Sequence, residues 1–308
     1  MPPKAIPLAR DRLQSRLLVW TIAPILGIAG LLAVAAACLD IPRISNNHLA
    51  SMAISLAFAL VAWRLKAATP VAAACGGVIC ILLTMSPTQP GRPSRSGLAP
   101  LIALFVLTYW ATRAGRKRKV SIDLAESHNC RNIAQVIANL GVAALLAFPL
   151  GFIVVEGIWP GGDYIGPSWV IAVLVLSALT EATADTVSSE IGHAYGGRPI
   201  LVTTLRRVEP GTDGAASLRG TLAGILAAAV VAALGAWSMH LSLQQSLIAF
   251  TAGICGLFFD SLLGATLERK GWIGNDLVNF CSTAFSPTLC LIVLWLIPSP
   301  GPHRFVRY

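Results

Sequence analysis

Residues 180–192 read Thr-Glu-Ala-Thr-Ala-Asp-Thr-Val-Ser-Ser-Glu-Ile-Gly and continue without a break from the apolar run 169–179. Glu181, Asp185 and Ser188 fall at i, i+4 and i+7, one face of a helix, and Glu190 follows near its end. Carboxylates at such a depth are costly and mark a functional site by default. Crowded together they repel. A bound Mg²⁺ relieves the repulsion, because that ion takes one or two carboxylates and leaves room for substrate phosphates. The plainer alternative is an acidic helix end paired with Arg198, Arg206 or Arg207.

Three further groups could do chemistry with it. In His128-Asn-Cys-Arg-Asn-Ile-Ala-Gln-Val-Ile-Ala-Asn139, the amides Asn132, Gln135 and Asn139 share one helix face. They suit either a ligand or hydrogen bonding between helices. The loop 192–220 holds Arg206, Arg207, Gly211-Thr212-Asp213-Gly214 and Ser217. Its glycines allow a close backbone approach, and successive N–H groups in such a turn form an anion-binding hollow. A helix beginning near 215–217 presents its N-terminus to a phosphate, and the arginines can clamp phosphate oxygens. The loop lacks the Lys-Ser/Thr ending of an ordinary P-loop, and a plain surface turn is its alternative. The fourth group is Gly253-x-x-Gly256-x-x-x-Asp260. Its glycines form a stripe for tight helix packing that turns Asp260 toward protein. Asn275 and Asn279 follow in the next turn and helix start, where Asn275 also suits a helix cap.

The elements that must position these residues are membrane helices. The 308-residue chain is 55% hydrophobic and 12% charged, with a mean hydropathy of +0.71. Soluble domains carry about 25% charged residues. About nine stretches are apolar enough to span: 17–39, 48–63, 70–86, 97–112, 133–155, 167–187, 217–239, 243–266 and 277–297. The expected fold is an all-α polytopic membrane bundle forming a single domain. It comprises apolar N-terminal spans (1–112), a motif-bearing core (113–297) and a tail (298–308). The seven cysteines contain no Cys-x-x-Cys and imply neither metal nor disulfide.

The net charge of +9 is a matter of topology and calls for no nucleic acid partner. With the N-terminus in the cytoplasm, 18 of the 23 Lys and Arg fall on the inner side, as the positive-inside rule requires. The same count, which uses no acidic or amide residue, puts all four groups at the cytoplasmic ends of their spans. The expected location is therefore a multi-pass protein of the cell inner (cytoplasmic) membrane, with one site facing cytosolic solutes and the inner leaflet.

Taken in order, the pieces Arg131-Asn-Ile-Ala-Gln-Val-Ile-Ala-Asn139, Ala184-Asp-Thr-Val-Ser-Ser-Glu-Ile-Gly192, Gly211-Thr-Asp-Gly214 with Ser217 and Gly220-Thr221, and Asp260-Ser-Leu-Leu-Gly264 resemble the integral membrane family known as domain of unknown function 92. That family includes the plant phytyl-phosphate kinase of vitamin E recycling and the animal transmembrane protein 19. The second and third pieces are also similar to CTP-dependent polyprenol kinases. Leu140 stands where the family pattern suggests Gly. The resemblance implies phosphoryl transfer from CTP or another nucleoside triphosphate to a prenyl monophosphate. On that reading Asp185, Asp260 and Glu190 are catalytic, and Asp185 and Asp260 hold Mg²⁺ with Asp213 or Glu190. Arg206, Arg207 and 211–214 take nucleotide phosphates with Ser189 and Ser217. Asn132, Gln135, Asn139, Asn275 and Asn279 orient the acceptor or the base. Two alternatives stay open: a proton- or ion-coupled transporter, and a cytidylyltransferase-like lipid enzyme.

Overall fold

The computed structural model describes residues 8–39, 46–85, 93–121, 130–148, 151, 153, 155, 157 and 166–297. His128, residues 149, 150, 152 and 154 of the expected 133–155 span and the 298–308 tail lie outside them. The described helices are α1 (Leu8–Leu39), α2 (Asn46–Arg64), α3 (Pro70–Thr84), α4 (Leu98–Arg113), α5 (Arg116–Ser121), α6 (Ile133–Ala147), α7 (Gly166–Tyr195), α8 (Leu218–Met239), α9 (Leu243–Leu263) and α10 (Asn275–Leu296). All but the short basic α5 match an expected span. Five of them, α1 and α7–α10, are long and apolar enough to cross a membrane. At 15 residues each, α3 and α6 reach only about 22 Å, short of a hydrocarbon core of about 30 Å, so nine full spans is an approximation.

Local sequence explains where the helices begin. Thr69 caps α3 ahead of Pro70, whose missing N–H is harmless at a first helical position. Asn132 with Gln135, and Ser242 with Gln245, form reciprocal capping boxes at α6 and α9. Ser217 caps α8, its Oγ accepting from Gly220 N–H at 3.1 Å. The helix at α9 does not stop at Leu263 but widens into a π turn, Gly264–Glu268. Such turns favour functional sites.

The bundle is organised around α7. This helix touches α4, α6, α8, α9 and α10. Within its most apolar 18-residue window, 94% of residues are buried, against 22% for α1. A helix apolar on every side belongs in the centre. One apolar core runs from Leu18 to Leu294 around it. Among the described residues, the loop 196–217 departs from all-α character by carrying a two-stranded antiparallel ribbon, β1 (Ile200–Leu201) against β2 (Ala215–Ala216).

Candidate functional site

The carboxylates divide by depth. Glu181 is sealed between α7, α9 and α10, only 1% exposed. Its Oε2 accepts a 2.6 Å bond from the Thr283 hydroxyl, while Oε1 has no partner. A side chain at Gly256 would collide with the Glu181 Cγ, so the small-residue stripe of α9 makes the room this carboxylate needs. One turn nearer the helix end, Asp185 of α7 and Asp260 of α9 line one cavity, close enough for each to feel the other's charge. The Ser282 hydroxyl donates to Asp260 Oδ2 at 3.2 Å. Two carboxylates that close repel unless a proton or cation sits between them.

Asp185 and Asp260 open into a cavity of about 300 Å³, near the lower end of small-ligand sites. It lies at the end of the bundle where the basic residues gather. Its wall includes Glu190, but that carboxylate is already taken. Lys119 Nζ lies 2.5 Å from Glu190 Oε2 and also donates to the carbonyls of Ala111 and Thr112 at 3.1 Å each. Lys119 is 3% exposed. One ammonium thus closes the C-terminal end of α4 and joins it to α7.

The Lys and Arg side chains lining the cavity are Arg116, Lys119 and Arg131; Arg206 and Arg207, expected to bind phosphate, are not among its lining residues. Those two are exposed and stand outside the cavity wall, on the outer course of the loop. There the Arg206 carbonyl accepts from Leu201 N–H at 2.9 Å. Arg131 is held from the other half of the chain. Its N–H donates to Ala67 O at 2.9 Å, and its carbonyl accepts from Thr69 N–H at 3.0 Å. The turn between α2 and α3 therefore fixes where this guanidinium starts. A signal for these cations exists in the sequence: Arg131 opens the amide motif, and Arg116 and Lys119 sit in the Arg-Lys-Arg-Lys run. Read as a tally of positive charge, they speak only to orientation. His193 and Glu268 also line the cavity, and no motif in the sequence marks them.

The remaining expected residues sort plainly. Gln135, Asn139, Ser189, Gly211, Asp213, Gly214, Ser217, Asn275 and Asn279 all line the cavity. Asn132 does not; its side chain accepts from Gln135 N–H at 3.0 Å and serves as the helix cap. Asn275 is not a cap, since Gly274 holds that position. Thr212 turns away, donating to Glu209 O at 2.7 Å. The loop is pressed onto the π turn at Gly214, whose φ of +70° suits glycine and where any side chain would strike the Ala265 backbone. Partial burial pushes the Asp213 carboxyl above its ordinary range, while the Arg269 charge pulls it back.

Among the described residues no three His, Cys, Asp or Glu side chains gather to hold an ion alone. The expected trio of Asp185, Asp260 and Asp213 therefore does not form one ligand set. The adjoining pair Asp185 and Asp260 still fits Mg²⁺, a hard cation usually bound through one or two carboxylates, with phosphates supplying the rest. The cavity thus joins a carboxylate pair to Arg116 and Arg131, the mix of charges that suits a metal-bound polyphosphate.

The chain is 32% identical over 197 residues to an uncharacterized membrane protein of Synechocystis sp., covering 63% of this chain and 72% of that one. It is 34% identical over 183 residues to an uncharacterized membrane protein of Methanocaldococcus jannaschii, covering 59% and 70%. It is 28% identical over 201 residues to the chloroplastic protein VTE6 of Arabidopsis thaliana, covering 64% and 58%. No solved structure matches it. A model of one membrane family matches residues 53–286, a stretch that contains every wall of the cavity. The chain belongs to the integral membrane protein DUF92 family.

Proposed function

We propose that this protein transfers a phosphoryl group from CTP or another nucleoside triphosphate to a prenyl monophosphate at the cytoplasmic face of the membrane. The observation that carries the reading is that the carboxylates Asp185 and Asp260 line one cavity with Arg116 and Arg131. Support comes also from the position of the cavity, at the basic end of the bundle.

Phosphoryl transfer needs positioning and charge neutralisation more than covalent help. Arg131 and Arg116 bind phosphate oxygens, Arg131 from a backbone locked to the α2–α3 turn. Gln135 and Asn139, with Asn275 and Asn279 opposite, orient what lies between them. Asp185 and Asp260 would hold Mg²⁺, which supplies neutralisation of the phosphate charge when bound. An oxygen of the acceptor monophosphate forms the new P–O bond to the γ-phosphorus. The bond from that phosphorus to the β,γ-bridging oxygen breaks, and the bridging oxygen leaves with the nucleoside diphosphate. A dianionic acceptor brings no proton to remove, so the reading needs no strong general base.

One observation favours a second reading, proton- or cation-coupled transport. A polar seam leads inward from Asp260 through Ser282, Glu181 and Thr283 to Ser286, which donates to Ser177 O at 3.0 Å. Beyond Ser177, α7 is wholly apolar and buried from 170 to 176, which leaves such a path without a continuation. The test is to offer purified protein prenyl monophosphates with each common nucleoside triphosphate and Mg²⁺, and to weigh the products. A prenyl diphosphate supports the reading. A nucleotide-linked lipid with released pyrophosphate replaces it with nucleotidyl transfer, and no covalent product overturns both.

A further inference from the structure

A second cavity, of about 80 Å³, lies between α2, α3, α4, α6 and α7. Its wall is mostly apolar, with polar groups toward Arg113 and Arg131: the small residues Ala72, Ala73 and Gly76 floor it, and Phe58, Leu104 and Phe105 close it. It is not a separate hole in the core. Thr112, Arg131, Asn139 and Thr186 line both this cavity and the polar one. The two spaces therefore meet at a shared wall, and a guanidinium stands at the junction.

Its outer side is built differently. Phe58 and Phe105 pack edge to face at 5.2 Å, and Phe105 stacks on Tyr109 at 6.0 Å. All three are half-buried, so they form a boundary between the cavity and the outer surface of the bundle. Arg113 lies 3.5 Å above the Tyr109 ring and donates to Leu65 O at 2.8 Å. An arginine on an aromatic ring beside an apolar slot is the arrangement expected at headgroup depth.

We propose that this apolar cavity receives the head-proximal isoprene units of the lipid substrate, with the phosphate at Arg131 and the rest of the chain leaving past Phe58 and Phe105 into the bilayer. The proposal rests on the prenyl-phosphate reading of the polar cavity. It also gives the N-terminal helices a role, since α2 and α3 hold Arg131 through their turn and form the floor for the tail. An amphiphile with an anionic head and a branched hydrocarbon tail matches both chambers and the charge between them. A soluble phosphorylated metabolite would leave the apolar chamber unfilled.

The test fills the chamber from its floor. A Cβ at Gly76 would meet Phe58 at 3.5 Å, an ordinary contact, so Gly76→Leu grows into the space, and Ala72→Met does so from the neighbouring turn. Wild type and both variants are assayed with methyl, farnesyl and geranylgeranyl monophosphate. Both variants should lose about tenfold or more in kcat/KM for the two long acceptors, the cost of unburying about two methylenes. The methyl phosphate acceptor, which carries no isoprene unit, should change by less than about twofold, which also shows that the variants fold. Equal retention or equal loss across all chain lengths overturns the tail assignment and leaves the kinase reading standing. If wild type acts on no prenyl phosphate, the kinase reading fails. The chamber is then judged by a farnesyl phosphate analogue with a photoreactive group in its first isoprene unit. Labelling within 58–76, 104–113, 136–140 or 182–186 upholds the tail site, and labelling elsewhere overturns it.

Discussion

Lys119→Met removes the ammonium that ties α4, α5 and α7 together while keeping most of the side-chain volume. At 2.5 Å from Glu190, the gross attraction is about 7 kcal/mol at an effective dielectric near 20. Desolvation of a lysine that is 3% exposed cancels much of that. The single substitution also leaves the Ala111 and Thr112 carbonyls without their donor and strands a carboxylate that is 17% exposed. Breaking such a pair from one side costs about 3 kcal/mol. Glu190→Gln, which keeps an acceptor for Lys119, should cost about 1–2 kcal/mol. The double variant should be more stable than the two losses together imply, with a coupling energy of about 1.5 kcal/mol or more. Equilibrium unfolding of the four proteins in mixed micelles measures it. A coupling below about 0.5 kcal/mol would refute the claim that this pair joins the basic helix to the central one.

Asp185→Asn and Asp260→Asn should each lower Mg²⁺-dependent transfer by about a hundredfold or more, with membrane insertion unchanged; full activity in either one sinks the assignment of the carboxylate pair. Arg131→Gln should lower kcat/KM by about a hundredfold, whereas the double variant Arg206→Ala, Arg207→Ala should stay within about threefold; the reverse ranking would restore the loop arginines. Thr283→Val should destabilise by about 1–3 kcal/mol, because it leaves both oxygens of the buried Glu181 unpartnered; thermal unfolding of the detergent-solubilised protein that matches wild type would show that Glu181 draws little from this bond.

Much of the site is legible in the sequence because the bilayer makes polar residues expensive. Asp185 and Asp260 stand out as carboxylates in oily helices, and both line the cavity. The glycine stripe of α9 correctly turns Asp260 inward, for the same reason of close packing. Counting Lys and Arg places the four polar groups at one end of the bundle, and the structure gathers most of them around one space. Sequence proximity fails for the cations. Arg206 and Arg207 are neighbours of Gly211 along the chain, yet the β ribbon carries them outward. Arg131 reaches the cavity because a turn 62 residues earlier, at Thr69, grips its backbone. Asn132 has the spacing of a ligand and is a cap, since capping boxes and binding motifs draw on the same amides.

The chain by itself determined that this is a helical membrane protein, roughly where its long helices run, and which carboxylates lie in apolar segments. Those properties follow from transfer free energy, which depends on residue type and order along one segment. Only the tertiary structure decided that α7 sits at the centre with no side given over to lipid. It also decided that Glu181 is sealed below the cavity, and that Arg116, Lys119 and Arg131 line one cavity with Asp185 and Asp260. Lipid tails and packed side chains are equally apolar, so hydropathy cannot tell a helix wrapped in protein from one bathed in lipid. Which helices touch, and therefore which charges meet, is settled by packing between segments far apart in the chain.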